Sequence, residues 1–183
     1  MKTRETLLSE GFVEIVSQTP SSLGICNKSA TGACIFFHQE RKQIVKIAHD
    51  PAYDVFVQWA QKHVESRVPR FYEHYSSGSA GVWGYATFTC MEQLDELTVA
   101  EGKIYCDWYD RIISRAKKGE PFIDMTDDDP LGLLDTLIAI RKVAQQAIQA
   151  GDHLSGFDLS KDTNVMIRVV DGMRIFIYTD PLN

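Results

Sequence analysis

Four side chains in this sequence have the types and settings needed to handle phosphate and a metal ion: Lys46, Asp158, Asn164 and Asp180. Lys46 is centred in Ile44-Val45-Lys46-Ile47, an apolar stretch where an unpaired ammonium is costly to bury. Such a lysine either carries its head to solvent or holds an anion, as a strand lysine does for nucleotide phosphates. Asp158 and Asn164 share the loop Gly156-Phe157-Asp158-Leu159-Ser160-Lys161-Asp162-Thr163-Asn164, just before the apolar run Val165-Met166-Ile167. Phosphoryl transfer needs a carboxylate to orient the attacking hydroxyl and an amide oxygen on the metal. This pair supplies both, and would otherwise make an ordinary Asp/Asn-rich turn. Asp180 follows an apolar run directly, in Tyr178-Thr179-Asp180-Pro181. A carboxylate there can chelate magnesium or simply end a strand in solvent.

The elements that would position these residues are legible from period and punctuation. Phe12 to Val16 and Leu23 to Cys26 alternate as strands do. Ala33 to Phe37, the polar turn from His38 to Lys42 and Ile44 to Ala48 read as a hairpin carrying Lys46. Asp50-Pro51 opens a helix, with Asp as N-cap and Pro at the first helical position. Tyr53, Phe56, Val57, Ala60 and Val64 continue it until Pro69. Arg70 to Tyr75 is a short strand, Ser76 to Gly81 a turn, and Val82 to Met91 an aromatic-rich strand. That strand ends in Thr89-Cys90-Met91-Glu92-Gln93-Leu94, which suits a hinge offering backbone groups to a planar base.

The second half is mainly helical. Thr98-Val99-Ala100-Glu101 matches a capping box, and its helix runs to about Lys118, before Gly119 and Pro121. Asp127-Asp128-Asp129-Pro130 opens another, with Leu133, Leu134, Leu137, Ile138, Ala144, Ala147 and Ile148 on its apolar face and Gly151 at its end. Asn164 to Val169 and Arg174 to Tyr178 flank Asp171-Gly172, a strong hairpin signal.

Composition bounds the reading. The 183 residues, 44% hydrophobic and 24% charged, suffice for one ordinary domain with a core. A net charge of −6 argues against a dedicated nucleic-acid binder. No apolar run approaches the roughly 18 residues of a membrane span. The opening Met1-Lys2-Thr3-Arg4-Glu5 lacks an apolar signal-peptide core, so a cytoplasmic location is expected. Cys26, Cys34, Cys90 and Cys106 form no C-x-x-C pair and are expected as reduced, buried thiols.

In order along the chain, these features are a strand lysine, a helix, a hinge-like strand end, a long helix, Asp…Asn, a D-G hairpin and a final Asp. The chain resembles the early protein kinases of autographivirus-type bacteriophages. Their catalytic loop reads like D-[LM]-H-x-G-N-[IV]-M, and T-D-P stands in place of D-F-G. Here Asp158-Leu159…Asn164-Val165-Met166 and Thr179-Asp180-Pro181 carry the likeness, with Val45-Lys46-Ile47, Ala52-Tyr53…Phe56 and Val68-Pro69-Arg70-Phe71-Tyr72. It covers roughly residues 11 to 183.

The resemblance implies an α+β, protein-kinase-like two-lobe fold: an N-lobe of antiparallel sheet plus one helix, about residues 10–93, and a truncated helical C-lobe, about 98–183. It implies ATP and Mg²⁺ as cofactors, with Lys46 on phosphate, Asp158 as base, and Asn164 and Asp180 on magnesium. Met91, Glu92 and Leu94 would form gate and hinge, and Ser22 would lie in the phosphate loop. The sequence departs from the pattern at several points. The expected glycine-rich loop, Ser17 to Gly24, has one glycine; Gly156 replaces a His; and five residues rather than four separate Asp158 from Asn164. No glutamate sits where the first helix should pair with Lys46, and Asp54 and Gln58 are the inward candidates. Three residues follow Asp180, so no activation segment is expected, and a partner or the target would complete the substrate platform. The expected function is a minimal Ser/Thr kinase acting on a host protein in the bacterial cytoplasm. The alternative is a weak or inactive kinase-fold protein that binds and inhibits a host factor. A small-molecule phosphotransferase would need acceptor-pocket helices for which no residues remain.

Overall fold

Residues that alternate between apolar and polar in the first half alternate between the two faces of one sheet in the computed structural model. The structure describes residues 2–16, 33–64, 67–77, 86–117, 129–150 and 162–182. Its elements are α1 (Arg4–Ser9), β1 (Val13–Ile15), β2 (Cys34–His38), β3 (Gln43–Ala48), α2 (Pro51–Ala60), β4 (Phe71–Ser76), β5 (Thr87–Glu92), α3 (Val99–Lys117), α4 (Leu134–Ala150), β6 (Val165–Val170) and β7 (Met173–Tyr178). The architecture is α+β. Two compact units divide the chain: Met1–Val57 with Arg70–Gln93, and Gln58–Pro69 with Leu94–Asn183. No helix among the described residues is long and apolar enough to cross a membrane.

The first unit is an antiparallel sheet in the order β1-β2-β3-β5-β4. Successive side chains on a strand point to opposite faces. Phe36, Val45, Phe88 and Cys90 therefore share one face, where Leu7 of α1 and Phe12 pack on them as an apolar core. Lys46, Thr89 and His74 share the other face, in one cross-strand row. Six-residue α1 was not among the expected elements; it buries only Leu7, too little to leave a periodic trace. Its start is nonetheless a capped one, with the Thr3 hydroxyl accepting the Thr6 N–H at 3.2 Å.

The Asp50-Pro51 start of α2 holds: Asp50 Oδ1 accepts the Tyr53 N–H at 3.0 Å. The helix ends at Ala60, short of the expected stop at Pro69. Val64, which continued the apolar repeat in sequence, is 76% exposed, so nothing buried extends the helix.

In the second unit the expected capping box closes on α3. Thr98 Oγ1 accepts the Glu101 N–H at 3.2 Å, and Glu101 Oε2 accepts the Thr98 N–H at 2.8 Å. Helix α4 starts at Leu134, not at the Asp127-Asp128-Asp129-Pro130 run. Asp129 still caps it from a distance, accepting the N–H groups of Leu133 and Leu134 at 3.1 and 2.8 Å. Gly132, at φ 65°, makes the turn between them. The buried stripe of α4 includes Thr136 and Ile140, while Ile148, expected inside, is exposed. The β6–β7 hairpin turns on Asp171 and Gly172, at φ 51° and 79°, as a D-G turn requires. The strand expected at Leu23 to Cys26 and the Gly119, Pro121 and Gly151 stops lie outside the described residues. So do residues 78–85, which include most of the expected turn and the start of the strand after it. Cys90 is buried and Cys106 partly so, but Cys34 is exposed, contrary to expectation. The β1 pairing reaches only Ile35 to Phe37 and leaves Cys34 uncovered.

Candidate functional site

Lys46 sits on β3 with β2 on one side and β5 on the other. It is 8% exposed, so its head does not reach solvent as that of an ordinary strand lysine would. Its Nζ lies 3.7 Å from the centroid of the Tyr53 ring. A desolvated ammonium over an aromatic face gains about 2 kcal/mol. Tyr53 is held at both ends: Asp50 accepts its N–H, and its hydroxyl donates to Met91 Sδ at 3.6 Å. The residue expected as gate thus touches the residue beneath the lysine.

Asp54, next on α2, is 6% exposed. Its Oδ1 accepts from His74 Nε2 at 2.6 Å, and the other imidazole nitrogen meets Thr89 Oγ1 at 2.8 Å. Of the two residues expected to turn inward toward Lys46, Gln58 is exposed. The buried stripe of α2 runs through Ala52, Tyr53, Phe56, Val57 and Ala60, which turns Gln58 outward. Phe56 meets Phe71 edge-on, with ring centroids 6.2 Å apart.

The linker strand is tied down at its end. Met91 lies opposite Ile44 and Glu92 opposite Gln43. The Glu92 N–H donates to Arg70 O at 3.0 Å, and Glu92 Oε1 accepts the Arg70 N–H at 2.7 Å. The Gln93 N–H donates to Lys42 O at 2.8 Å. In the second unit Leu94 is buried, and Asp95 exchanges two 2.8 Å bonds with Ile167.

The same unit brings Asn164 and Asp180 together. Asn164 closes a short 3-10 turn, Asp162–Asn164, that feeds β6. Its carbonyl accepts the Thr179 N–H at 2.9 Å, one step beyond the Val165–Tyr178 pair. Asp180 is the next residue, so both residues stand at the open end of the hairpin. Gly102 of α3 lets the turn approach, since a Cβ there would stand 3.0 Å from Asp162 Oδ2. One amide and one carboxylate oxygen fit magnesium, which binds through one or two carboxylates plus phosphate and keeps several waters. No group of three or more His, Cys, Asp or Glu that could hold a metal occurs among the described residues. Asp158 and Ser22 lie outside the described residues.

Two further features lie apart from these residues. Arg174 of β7 clamps Glu101 of α3 at 2.6 Å, and this hydrogen bond holds the Glu101 carboxyl down to about 2. A cavity of about 340 Å³ lies between α1 and the apolar face of the sheet, lined by Leu7, Phe12, Val45, Phe88 and Cys90 with Lys2, Arg41 and Glu73 among its polar residues. Burial, aided by Glu73, pushes the Cys90 thiol up to about 11, which makes it a poor nucleophile. Lys46 is on the opposite face and does not line this cavity.

No protein-family model, curated protein or solved structure matches the chain. Tyr53, His74 and Thr89 join Lys46 and Asp54, yet none stood out in the sequence. Tyr53 read as helix core, and His74 and Thr89 as strand residues. For His74 and Thr89 the signal was strand pairing: with Lys46 they fall in one cross-strand row, and pairing is not visible before the fold is known.

Proposed function

We propose that this chain is a minimal Ser/Thr protein kinase of the bacteriophage type, which transfers the ATP γ-phosphate to a host protein. The observation that carries the reading is the buried Lys46 on the middle strand of a five-stranded antiparallel sheet, with one helix between its strand and the linker-forming half. A lysine buried on the face of a sheet can bind an anionic ligand that reaches it, and nucleotide phosphates are such ligands. Asn164 and Asp180, at the open end of a D-G hairpin, supply oxygen ligands in the order such enzymes use. In this reading Lys46 orients the phosphates, Asp158 accepts the acceptor hydroxyl's proton, and Asn164 and Asp180 would hold Mg²⁺. Bound magnesium would supply charge neutralisation on the phosphates. The N–H groups of Glu92, Gln93 and Asp95 serve carbonyls of the chain itself, so Leu94 is the linker residue to meet an adenine edge.

A second reading is a kinase-fold inhibitor that binds a host factor without transferring phosphate. The specific observation behind it is that the Asp54 carboxylate is engaged by His74. Purified protein with γ-³²P-labelled ATP, Mg²⁺ and bacterial lysate separates the two. Transfer predicts labelled protein with wild type and at least about a hundredfold less with Asp158→Ala. Labelling no stronger in wild type than in Asp158→Ala would overturn the transfer reading.

A further inference from the structure

Helix α2 touches the sheet through two adjacent side chains with different tasks. Tyr53 lies beneath the Lys46 ammonium, and Asp54 takes a 2.6 Å hydrogen bond from His74 on β4. The imidazole's second nitrogen is spent on Thr89 of β5, at 2.8 Å. Thr89 stands directly opposite both Lys46 and His74 in the strand register, so the row reads Lys46, Thr89, His74 across three strands. The His74 side chain is 4% exposed and both ring nitrogens have partners. A hydroxyl both donates and accepts, so Thr89 can satisfy the ring in either protonation state.

A buried Asp–His pair is an expensive way to dock a helix, since an apolar pair of equal volume is often as stable or more so. Its advantage is directional: a short charge-assisted hydrogen bond fixes the angle and depth of α2, where apolar contact would let it slide. What it fixes one residue away is the ring under Lys46.

We infer that His74 is a positioning residue for Lys46, acting through Asp54 and α2 to set the Tyr53 ring beneath the ammonium. The consequence for nucleotide affinity rests on the reading of Lys46 as a phosphate ligand; the effect on Lys46 itself does not. Two readouts keep these apart. The first is the rate at which an amine-reactive acylating reagent modifies Lys46 in the folded chain, followed by mass spectrometry. The second is the Kd for MgATP by calorimetry.

His74→Ala should raise the Lys46 modification rate at least fivefold and weaken MgATP about tenfold, in keeping with the cost of misplacing a binding group. His74→Gln, which can still donate to Asp54, should recover both to within about twofold of wild type. Should His74→Ala not fold, the isosteric Asp54→Asn carries the test, with both shifts in the same direction and Asp54→Asn/His74→Gln no worse than Asp54→Asn alone. A lower melting temperature with unchanged Lys46 reactivity would make His74 merely structural and overturn the inference. Lys46 reactivity that responds to His74 in a protein that binds no MgATP would uphold the positioning role and remove the nucleotide reading instead.

Discussion

The two faces of the five-stranded sheet bury their side chains by different means. On the α1 face, Leu7, Phe12, Phe36, Val45, Phe88 and Cys90 pack as an apolar cluster, with no buried charge pair among its described residues. On the α2 face, Lys46, Asp54 and His74 are buried beside Tyr53, Phe56 and Phe71. The first arrangement follows from the hydrophobic effect alone. The second buries ionisable side chains, which an apolar face avoids unless they are paired.

The largest effect that tests this contrast is a core truncation. Phe88→Ala should cost about 3–5 kcal/mol in urea unfolding, whereas Lys46→Met should cost far less, because Met fits an apolar slot and its sulfur contacts aromatic rings well. Equal losses would mean that Lys46 is as structural as Phe88. Smaller is the effect of Asp54→Ala, which strips His74 of its buried partner and should cost about 1–3 kcal/mol in the same assay. No loss would show that the pair is not a fastening. Next comes Thr98→Ala, about 1 kcal/mol for a lost N-cap.

The clamp on α3 also makes a pH prediction. The Arg174 hydrogen bond holds Glu101 at about 2, below its ordinary range. A depressed carboxylate contributes stability that is full above its unfolded value and is lost as pH falls toward the folded one. Between about pH 4.5 and pH 2 the wild type should therefore lose stability faster than Glu101→Gln, as measured by melting temperature. Parallel curves would exclude the clamp. A comparable effect is expected of Gly172→Ala, about 1 kcal/mol. A Cβ there meets nothing within 4 Å, so only the positive φ resists it.

Legibility followed the same division between local and paired information. The described strands, the Asp50 cap, the Thr98–Glu101 box and the D-G turn were visible because each depends on residues close in sequence. The end of α2 and the start of α4 were misplaced because tertiary contacts decided them. Val64 finds nothing to bury against, and Asp129 caps Leu134 across Gly132 rather than at its own position. Lys46, Asn164 and Asp180 were proposed from residue type in context. Asp54 was named as well, but its link to His74 and Thr89 was not, because it depends on the β5-β4 pairing and on α2 lying over that row. Gln58 was misjudged for want of knowing how the buried stripe of α2 winds.

The proposed role of the buried Lys46 is to bind nucleotide phosphate. Calorimetric titration of MgATP into wild type and Lys46→Met tests it most directly. The account predicts saturable binding by wild type and at least tenfold weaker binding by a Lys46→Met protein of native stability, about 1.4 kcal/mol or more. Equal affinity in the two proteins, or no heat from wild type at millimolar MgATP, would contradict it.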